Sequence, residues 1–298
     1  MATPFKTVAF HTLGCKLNYT ETSTLARNFN RYGYAQVNFQ DQADLYVINS
    51  CSVTENADKK VRKTARQVLK RSPSAKIAIV GCYAQLKPTE IALIPGVNFV
   101  VGTREKFNLP QYIESNHFDG ETVVLKTDIT AADTFIPSYS LGHRIRSFLK
   151  IQDGCNYTCS FCTIPLARGT SRSSTVDQTV AIAEKIANEN IREVVLTGVN
   201  VGDFGIRNGE TLLNLIRALD KVKGIERYRI SSIEPNLLMD EIIRFMAESG
   251  KFLPHFHIPL QSGSNQILKA MRRRYQADLF AERINTIKSI LPDAGIGV

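Results

Sequence analysis

Short apolar runs rich in β-branched residues alternate with polar stretches of helical spacing along the first third of the chain. The apolar runs predict strands, and the stretches between them predict helices. The predicted strands are residues 7–11, 45–49, 77–80 and 99–101, and the clearest helices are residues 21–32 and 56–71. Such alternation favours a parallel sheet with right-handed crossovers, whose functional residues follow the carboxyl ends of the strands.

The alternation is lost over residues 116–145, apart from a possible strand at 122–126, and it resumes from residue 146. Thr175 and Gln178 have the spacing of a capping box that opens a helix. Repeated strand–helix units predict a (β/α) barrel, complete or partial, with its site at the strand carboxyl ends. The predicted strands are residues 148–152, 194–197, 228–231 and 255–260, and the helices are residues 176–187, 212–222, 237–247 and a long one ending at 290.

The fold class predicted is therefore α/β, with an N-terminal parallel α/β sandwich domain followed by a partial (β/α) barrel. The predicted domains are residues 1–115 and 146–298, joined by a connection over 116–145. Residues 294–298 have the pattern of a fifth barrel strand with nothing after it. The pattern thus predicts that the second domain is truncated at its C-terminus.

Composition narrows the class of protein. A length of 298 residues fits about two domains, and the net charge of +9 favours a polyanionic partner, although basic enzymes without one are common. No apolar run reaches the ~20 residues needed to cross a bilayer, and Lys6, His11 and Lys16 interrupt any signal-peptide pattern. We therefore expect no membrane association and a cytoplasmic location, in which the six cysteines are reduced.

Three of the cysteines, here called the loop triad, form a C-x3-C-x2-C run directly after a predicted barrel strand. They are Cys155, Cys159 and Cys162. Three thiolates hold three corners of a 4Fe-4S cluster and leave one iron open to a small molecule. The alternative is a structural zinc site, but that requires a fourth ligand, and the nearest candidate, His143, lies twelve residues upstream.

The other three cysteines, here called the strand-end triad, each follow a predicted strand. They are Cys15, Cys51 and Cys82. Parallel strands deliver their carboxyl ends to one edge of a sheet, so these thiols are expected to converge on a second metal or cluster site. The alternative is that they are scattered core thiols, since free cysteine is often buried as a small hydrophobe.

The two triads, with their sequence context, resemble the radical-SAM methylthiotransferase family. The matching segments include residues 14–18 (GCKLN), 49–54 (NSCSVT), 81–85 (GCYAQ), 151–155 (IQDGC), 196–200 (LTGVN) and 257–264 (HIPLQSGS). The resemblance implies that the loop triad binds the 4Fe-4S cluster that cleaves S-adenosylmethionine to a 5'-deoxyadenosyl radical. It implies that the strand-end triad binds an auxiliary 4Fe-4S cluster through which sulfur reaches the substrate. It further implies a radical-SAM barrel that normally continues beyond Val298 to a C-terminal RNA-binding domain.

Within the family, residues 14–18 and 231–235 (SSIEP) look most like the branch that methylthiolates C2 of N6-threonylcarbamoyladenosine beside the tRNA anticodon. The alternatives are the isopentenyladenosine branch and the branch that modifies a ribosomal-protein side chain. A non-catalytic metal-binding RNA protein is the alternative from another class. The implied partners are the tRNA anticodon loop, an electron donor of flavodoxin or ferredoxin type and a sulfur donor, and we expect a monomer.

The resemblance also implies which side chains contact S-adenosylmethionine. Glu234 is expected at the ribose hydroxyls, although it is equally typical of a residue that precedes a helix, and His257 is more typical of a core histidine. Arg168 is expected to pair with a carboxylate of S-adenosylmethionine or with a tRNA phosphate. The full set of cofactor-binding candidates is Phe161, Arg168, Thr197, Gly198, Asn200, Glu234, Gln261 and Ser262.

A basic stripe on one predicted helix is the main candidate for RNA contact. Such a run is usually a solvated face, but residues 59–71 carry seven basic side chains and no acid. Arg272, Arg273 and Arg274 form a shorter basic group with the same ambiguity. The RNA-contact candidates are Lys59, Lys63, Arg66, Lys70 and Arg172.

Overall fold

The computed structural model describes residues 7–51, 55–115, 120–141 and 145–298. The chain forms two compact units. The first comprises Met1–Ala132 together with Leu166–Gly169, and the second comprises Asp133–Pro165 and Thr170–Val298. The division falls inside the predicted connection, and the return of four residues to the first unit is a feature that the sequence pattern does not predict.

The first unit is built on a parallel sheet in the order β2-β1-β3-β4-β5-β6. Its strands are β1 (Thr7–Thr12), β2 (Ala35–Val37), β3 (Leu45–Ser50), β4 (Lys76–Gly81), β5 (Val97–Val101) and β6 (Val123–Leu125). Its helices are α1 (Lys16–Arg31), α2 (Glu55–Arg71), α3 (Cys82–Leu86), α4 (Pro88–Ala92) and α5 (Leu109–Ser115). The four strands predicted first are confirmed, and the possible strand at 122–126 is the edge strand β6.

Strand β3 is buried along its whole length, as expected for a strand that is covered on both faces of the sheet. The sheet therefore lies at the centre of the first unit. Helix α2 packs Val61, Ala65 and Val68 against this sheet, which leaves the opposite face of the helix to its charged residues. The short strand β2 was not predicted. Its residues are mostly exposed at the sheet edge, so they lack the apolar run on which strand prediction depends.

The second unit contains a four-stranded sheet in the order β12-β11-β8-β7, with β8, β11 and β12 parallel. The strands of the whole second unit are β7 (Ser138–Tyr139), β8 (Arg146–Lys150), β9 (Gln152–Asp153), β10 (Arg172–Ser173), β11 (Glu193–Thr197), β12 (Arg227–Ile230), β13 (His255–His257) and β14 (Gly295–Gly297). Strand β13 pairs parallel with β14, and a bridge between Ser232 and His257 continues the series from β12 to β13. The described strands therefore form part of a (β/α) barrel and not a closed one.

The helices of the second unit follow the predicted order. Helix α6 (Ile164–Arg168) begins in the second unit, and its last three residues belong to the first unit. The helices that lie wholly in the second unit are α7 (Val176–Asn188), α8 (Leu212–Leu219), α9 (Asp240–Glu248), α10 (Asn265–Ala270) and α11 (Ala277–Ile290). The Thr175 side chain accepts a hydrogen bond from the Gln178 amide, which confirms the cap at Thr175, and the Gln178 Oε1 of the predicted capping box accepts from Ser174 Oγ at 2.6 Å. The long helix ending at residue 290 is in fact two helices, because Arg272 adopts a positive φ of 56° between them. None of the described helices is long and apolar enough to span a membrane.

Candidate cluster and cofactor sites

The strand-end triad lies at one edge of the first sheet, as predicted. Cys15 is the N-cap residue of α1 after β1, Cys51 follows β3, and Cys82 begins α3 after β4. These three strands are adjacent and parallel, so their carboxyl ends meet. Gly14, at φ +102°, packs so closely on Cys51 that an added Cβ would stand 2.8 Å from the Cys51 Sγ. The loops that carry Cys15 and Cys51 are therefore in direct contact.

Hydrogen bonds between side chain and backbone hold these loops in place. The Asn18 side-chain amide donates to the Leu13 carbonyl at 2.8 Å and to the Ser50 carbonyl at 3.0 Å, so one side chain ties the residues before Cys15 and Cys51 together. Ser50 Oγ donates to the Val80 carbonyl at 2.6 Å, which links the second loop to the strand before Cys82. The positions of all three thiols are thus coupled through buried polar contacts.

The surroundings of Cys82 are both apolar and electrostatically biased. Burial raises the pKa of the Cys82 thiol, whereas the positive charges of Arg168 and Lys106 act to lower that pKa, and the Cys15 thiol acts to raise it. The two thiols therefore interact with each other, and two cations favour the thiolate of Cys82. A thiolate is the form that binds iron, so the two cations favour the ligand form of Cys82 whereas burial disfavours it.

The loop triad depends on local chain geometry. Cys155 follows Gly154, which has a positive φ of 69°, and its Sγ accepts a hydrogen bond from the Tyr157 amide at 3.4 Å. The Cys162 amide donates to the Cys159 carbonyl at 3.1 Å in a tight turn. Burial raises the pKa of Cys155 to about 11, and the Cys162 and Cys159 thiols also act to raise that pKa. The three sulfur atoms therefore interact electrostatically with one another. His143, the alternative fourth ligand for zinc, lies outside the described residues.

Arg273 joins the loop triad to a carboxylate that was predicted to bind the ribose. Its Nη1 donates to Cys159 Sγ at 3.3 Å, and its Nη2 donates to Glu234. Burial raises the pKa of Glu234, and the Arg273 guanidinium opposes that shift. The sequence singles out Arg273 only as part of a basic group. Arg272 precedes it with a positive φ, and nothing in the sequence indicates this conformation.

The turn after β11, predicted to bind the methionine part of S-adenosylmethionine, is held by Gln152. Its Oε1 accepts the backbone amides of Val199 and Asn200, both at 2.9 Å, and its Nε2 donates to the Gly154 carbonyl at 2.7 Å. Gly198 lies so close to Gln152 that an added Cβ would stand 2.8 Å from Oε1. One buried amide therefore ties the residue before Cys155 to the turn after Thr197.

The remaining predicted cofactor residues differ in their exposure. Thr197 is buried at the end of β11, whereas Phe161 is 53 % exposed. Gln261 is exposed and has a positive φ of 62°. Ser262 Oγ accepts the Ser264 amide at 3.1 Å, which orders the turn before α10. Phe161 and Gln261 therefore have side chains that are open to a ligand.

His257 lies at the surface of the second unit. Its side chain is exposed, and its Nδ1 is 3.0 Å from Ser232 Oγ. The prediction of a core histidine is therefore wrong. Strand β13 is short and alternates in burial, so the neighbouring Phe256 occupies the core position and His257 faces outward.

The two arginines expected at S-adenosylmethionine or phosphate lie inside the protein. Arg168 is 1 % exposed and is hydrogen-bonded to Glu21 and Asn18 within the first unit. Arg172 is buried in the second unit, where it donates to the Thr134 carbonyl at 3.2 Å and to Asp153 at 3.4 Å. These positions do not favour the phosphate contact expected of Arg172.

The basic stripe of α2 lies at the surface. Two of the seven basic residues bind within the protein, since Arg62 pairs with Glu90, and Arg71 donates to the Phe39 carbonyl. The four residues of α2 that are predicted to contact RNA are exposed on the face opposite the buried one: Lys59, Lys63, Arg66 and Lys70. This face therefore presents four cations to solvent.

The second unit also contains buried polar atoms that fit a polar ligand. Among the described residues, four such atoms near the carboxyl ends of its strands lack a hydrogen-bond partner: Asn200 Oδ1, Ser231 Oγ, Asn236 Oδ1 and Arg273 Nε. Buried polar groups are normally paired, so this set fits a ligand with both donors and acceptors, as S-adenosylmethionine has. Within the described ranges, no three His, Cys, Asp or Glu side chains are grouped as ligands of a single metal ion.

Two family models match this chain. The one described as "Uncharacterized protein family UPF0004" matches residues 7–102, and that of the "Radical SAM superfamily" matches residues 149–297. Each match contains one cysteine triad.

Curated relatives match nearly the whole chain. The threonylcarbamoyladenosine tRNA methylthiotransferase MtaB of Bacillus subtilis is 40% identical over 97% of this chain and 65% of its own length, and that of Aquifex aeolicus is 38% identical over 97% and 71%. The tRNA-2-methylthio-N(6)-dimethylallyladenosine synthase of Pseudothermotoga lettingae is 31% identical over 97% and 67%. The chain thus spans about two thirds of the length of these relatives.

A solved structure shows the same fold. The radical S-adenosylmethionine methyltransferase TsrM from Kitasatospora setae, with cobalamin and a [4Fe-4S] cluster bound, superposes with a TM-score of 0.66 over 98% of this chain and 68% of TsrM. The sequences are 13% identical, so the likeness concerns the fold alone.

Proposed function

This chain belongs to the radical SAM tRNA methylthiotransferase family, and we propose that it adds a methylthio group to C2 of N6-threonylcarbamoyladenosine beside the tRNA anticodon. The observation that carries the proposal is the pair of cysteine triads, one after the parallel strands β1, β3 and β4 and the other directly after β9. An unactivated aromatic C–H bond is beyond the acids and bases of a protein, so a cofactor must supply that chemistry.

The residues divide into cluster ligands and residues that bind or orient S-adenosylmethionine. The loop triad would hold a 4Fe-4S cluster that supplies the electron for cleavage of S-adenosylmethionine, and the strand-end triad an auxiliary 4Fe-4S cluster that supplies a route for sulfur. Asn200 and Asn236 would accept hydrogen bonds from the bound S-adenosylmethionine through their buried Oδ1 atoms. Glu234, held by Arg273, would accept the ribose hydroxyls.

Cluster counting tests the cofactor assignment. Anaerobic reconstitution should give about eight irons per chain, and about four when either triad is replaced by alanine. Reductive cleavage of S-adenosylmethionine to 5'-deoxyadenosine, assayed with dithionite, should be lost when the loop triad is replaced. It should be kept when the strand-end triad is replaced. Bound zinc without any cleavage would instead identify a non-catalytic metal-binding RNA protein.

Product analysis tests the substrate. Incubation with tRNA that carries N6-threonylcarbamoyladenosine should add a methylthio group, detected by mass spectrometry of the nucleosides. The comparison arms are tRNA that carries isopentenyladenosine and a ribosomal-protein substrate. Modification of either one in place of the first tRNA would move the chain to another branch of the family.

We propose that the exposed basic face of α2 contacts tRNA phosphates. Replacing Lys59, Lys63, Arg66 and Lys70 by glutamine should weaken tRNA binding roughly tenfold and lower the slope of affinity against salt by about three units. The matched control removes four exposed cations from the second unit: Lys185, Arg217, Lys221 and Lys223. Equal loss of tRNA affinity in both variants would mean that affinity depends on net charge and not on the basic face of α2.

The remaining partners are proposals from the same reaction. Reduction of the clusters requires an electron donor of flavodoxin or ferredoxin type, and repeated turnover requires a sulfur donor. We propose that the protein acts as a monomer in the cytoplasm, where its tRNA substrate is found. Size-exclusion chromatography with light scattering tests the oligomeric state.

A further inference from the structure

A charged network made by residues far apart in sequence lies within the first unit. Arg168, which follows Cys162 by six residues, donates to Glu21 Oε1 at 3.0 Å and to Glu21 Oε2 at 3.1 Å. Lys106 donates to the same Glu21 Oε2 at 2.6 Å. The side chains of Lys106 and Glu21 are completely buried, and that of Arg168 is 1 % exposed.

The network reaches the strand-end triad through one side chain. Arg168 Nη2 donates to Asn18 Oδ1 at 2.7 Å, while the amide nitrogen of Asn18 donates to the carbonyls before Cys15 and Cys51. The guanidinium thus orients Asn18 and fixes which of its atoms faces the cysteine loops. Arg168 is two hydrogen bonds away from both loops.

The charges of these three side chains do not cancel, since two cations share one carboxylate. Buried charge is unfavourable unless an opposite charge lies close to it. Burial and the neighbouring Arg168 guanidinium lower the pKa of Lys106, while Glu21 and the Cys82 thiol act to raise that pKa. Three thiolates with a bound iron–sulfur cluster bring negative charge to the neighbouring site, and one-electron reduction adds more. Positive charge beside a cluster favours its reduced form.

We propose that Arg168 is a positioning residue of the strand-end triad, which orders the Cys15 and Cys51 loops through Asn18 and, with Lys106, favours reduction of a cluster bound there. The inference rests on the proposed auxiliary cluster. It assigns to Arg168 a role different from the contact with S-adenosylmethionine or phosphate that the sequence suggests.

The test measures the midpoint potential of the strand-end cluster by itself. In a chain whose loop triad is replaced by alanine, Arg168→Gln should make one-electron reduction about tenfold less favourable, a shift of about 59 mV to lower potential. Lys106→Met should shift the potential in the same direction. Arg168→Lys keeps the charge and loses the paired geometry, so its potential should stay near the parent value while the cluster is released faster to a chelator.

The matched control is Lys76→Gln. Lys76 is half-buried at the start of β4, so it lies about 16 Å from the end of the strand at which Cys82 begins α3, a distance greater than the screening length in salt. Its potential should equal that of the parent. Should Arg168→Gln fail to fold, Lys106→Met still decides the sign of the shift.

Two results would overturn the proposal, and they differ from each other. Unchanged potentials in Arg168→Gln and Lys106→Met, with the cluster retained, would remove the role of the network and leave the cluster assignment intact. A parent chain that binds no iron at Cys15, Cys51 and Cys82 would remove the auxiliary cluster itself and the role of Arg168 with it.

Discussion

The two cysteine triads present the same ligand atoms through different architectures. The strand-end triad draws on residues 15 to 82, and its cysteines lie at one edge of the sheet only when three strands are in register. The loop triad lies within residues 155 to 162, after β9, where short-range turns set its geometry. The first site is therefore a product of the sheet, and the second is mainly a product of the local chain.

Their electrostatic surroundings are more alike than their architectures. Arg168 and Glu21 accompany the strand-end triad, and Arg273 and Glu234 accompany the loop triad. The difference lies in the second cation, Lys106, which shares Glu21. Each triad has a buried arginine side chain whose geometry is set by a carboxylate, and in the strand-end network a second cation shares that carboxylate.

Gly14→Ala should break the comparison most strongly, because it acts on the packing between two loops. The added Cβ would stand 2.5 Å from the Cys51 Cβ, at a φ of +102° that alanine rarely adopts. We expect the strand-end cluster to be lost and the loop cluster to remain, so that iron falls from about eight to about four per chain.

Gly33→Ala is the control for the backbone conformation alone. Gly33 has a φ of +85°, and an added Cβ would meet nothing within 4 Å. Its iron content should match that of the parent. Loss of iron from both variants would show that strain in the backbone, and not the approach of Gly14 to Cys51, accounts for the effect.

Gln152→Leu applies the corresponding test to the second unit. It removes the acceptor of the Val199 and Asn200 amides, and an unpaired buried amide costs about 1–3 kcal/mol. Hydrogen exchange at these amides should accelerate roughly a hundredfold, with the strand-end iron unchanged. Gln36→Leu, at an exposed position of β2, is the control that should leave their exchange unaltered.

Cys155 should react slowly with iodoacetamide in the iron-free protein. Its pKa of about 11 leaves little thiolate at pH 8, and partial exposure moderates the effect, so we expect labelling roughly tenfold slower than in the unfolded chain. Because the pKa is raised, the rate should increase as pH rises from 8 to 10. Peptide mass spectrometry measures the rate, and a rate equal to that in guanidinium would contradict the prediction.

Much of the fold was predictable because its signals are local. The strands that precede Cys15, Cys51 and Cys82 are marked by short apolar runs, and the loop triad is a spacing motif. The placement of Cys15, Cys51 and Cys82 at one edge of the sheet followed from the rule that parallel strands end at one edge. The cap at Thr175 was equally local.

The charged networks were not predictable, since they join distant parts of the sequence. Arg168 meets Glu21 across 147 residues, and Lys106 meets the same residue across 85. Nothing near Arg168 in the sequence distinguishes a buried arginine from one that faces phosphate. Arg273 was likewise hidden, because its position depends on the break between α10 and α11 at Arg272.

Ser50→Ala tests the smallest difference between the triads. The Ser50 hydroxyl donates to the Val80 carbonyl at 2.6 Å, and loss of this bond should lower the free energy of unfolding by about 1 kcal/mol while iron is retained. Urea unfolding measures the change, and Ser74→Ala, at an exposed position, is the control. In the loop triad the corresponding turn is closed by the Cys162 amide and the Cys159 carbonyl, so no side-chain substitution removes its bond. An unchanged stability in Ser50→Ala would mean that backbone pairing, and not side-chain contact, also holds the strand-end loops.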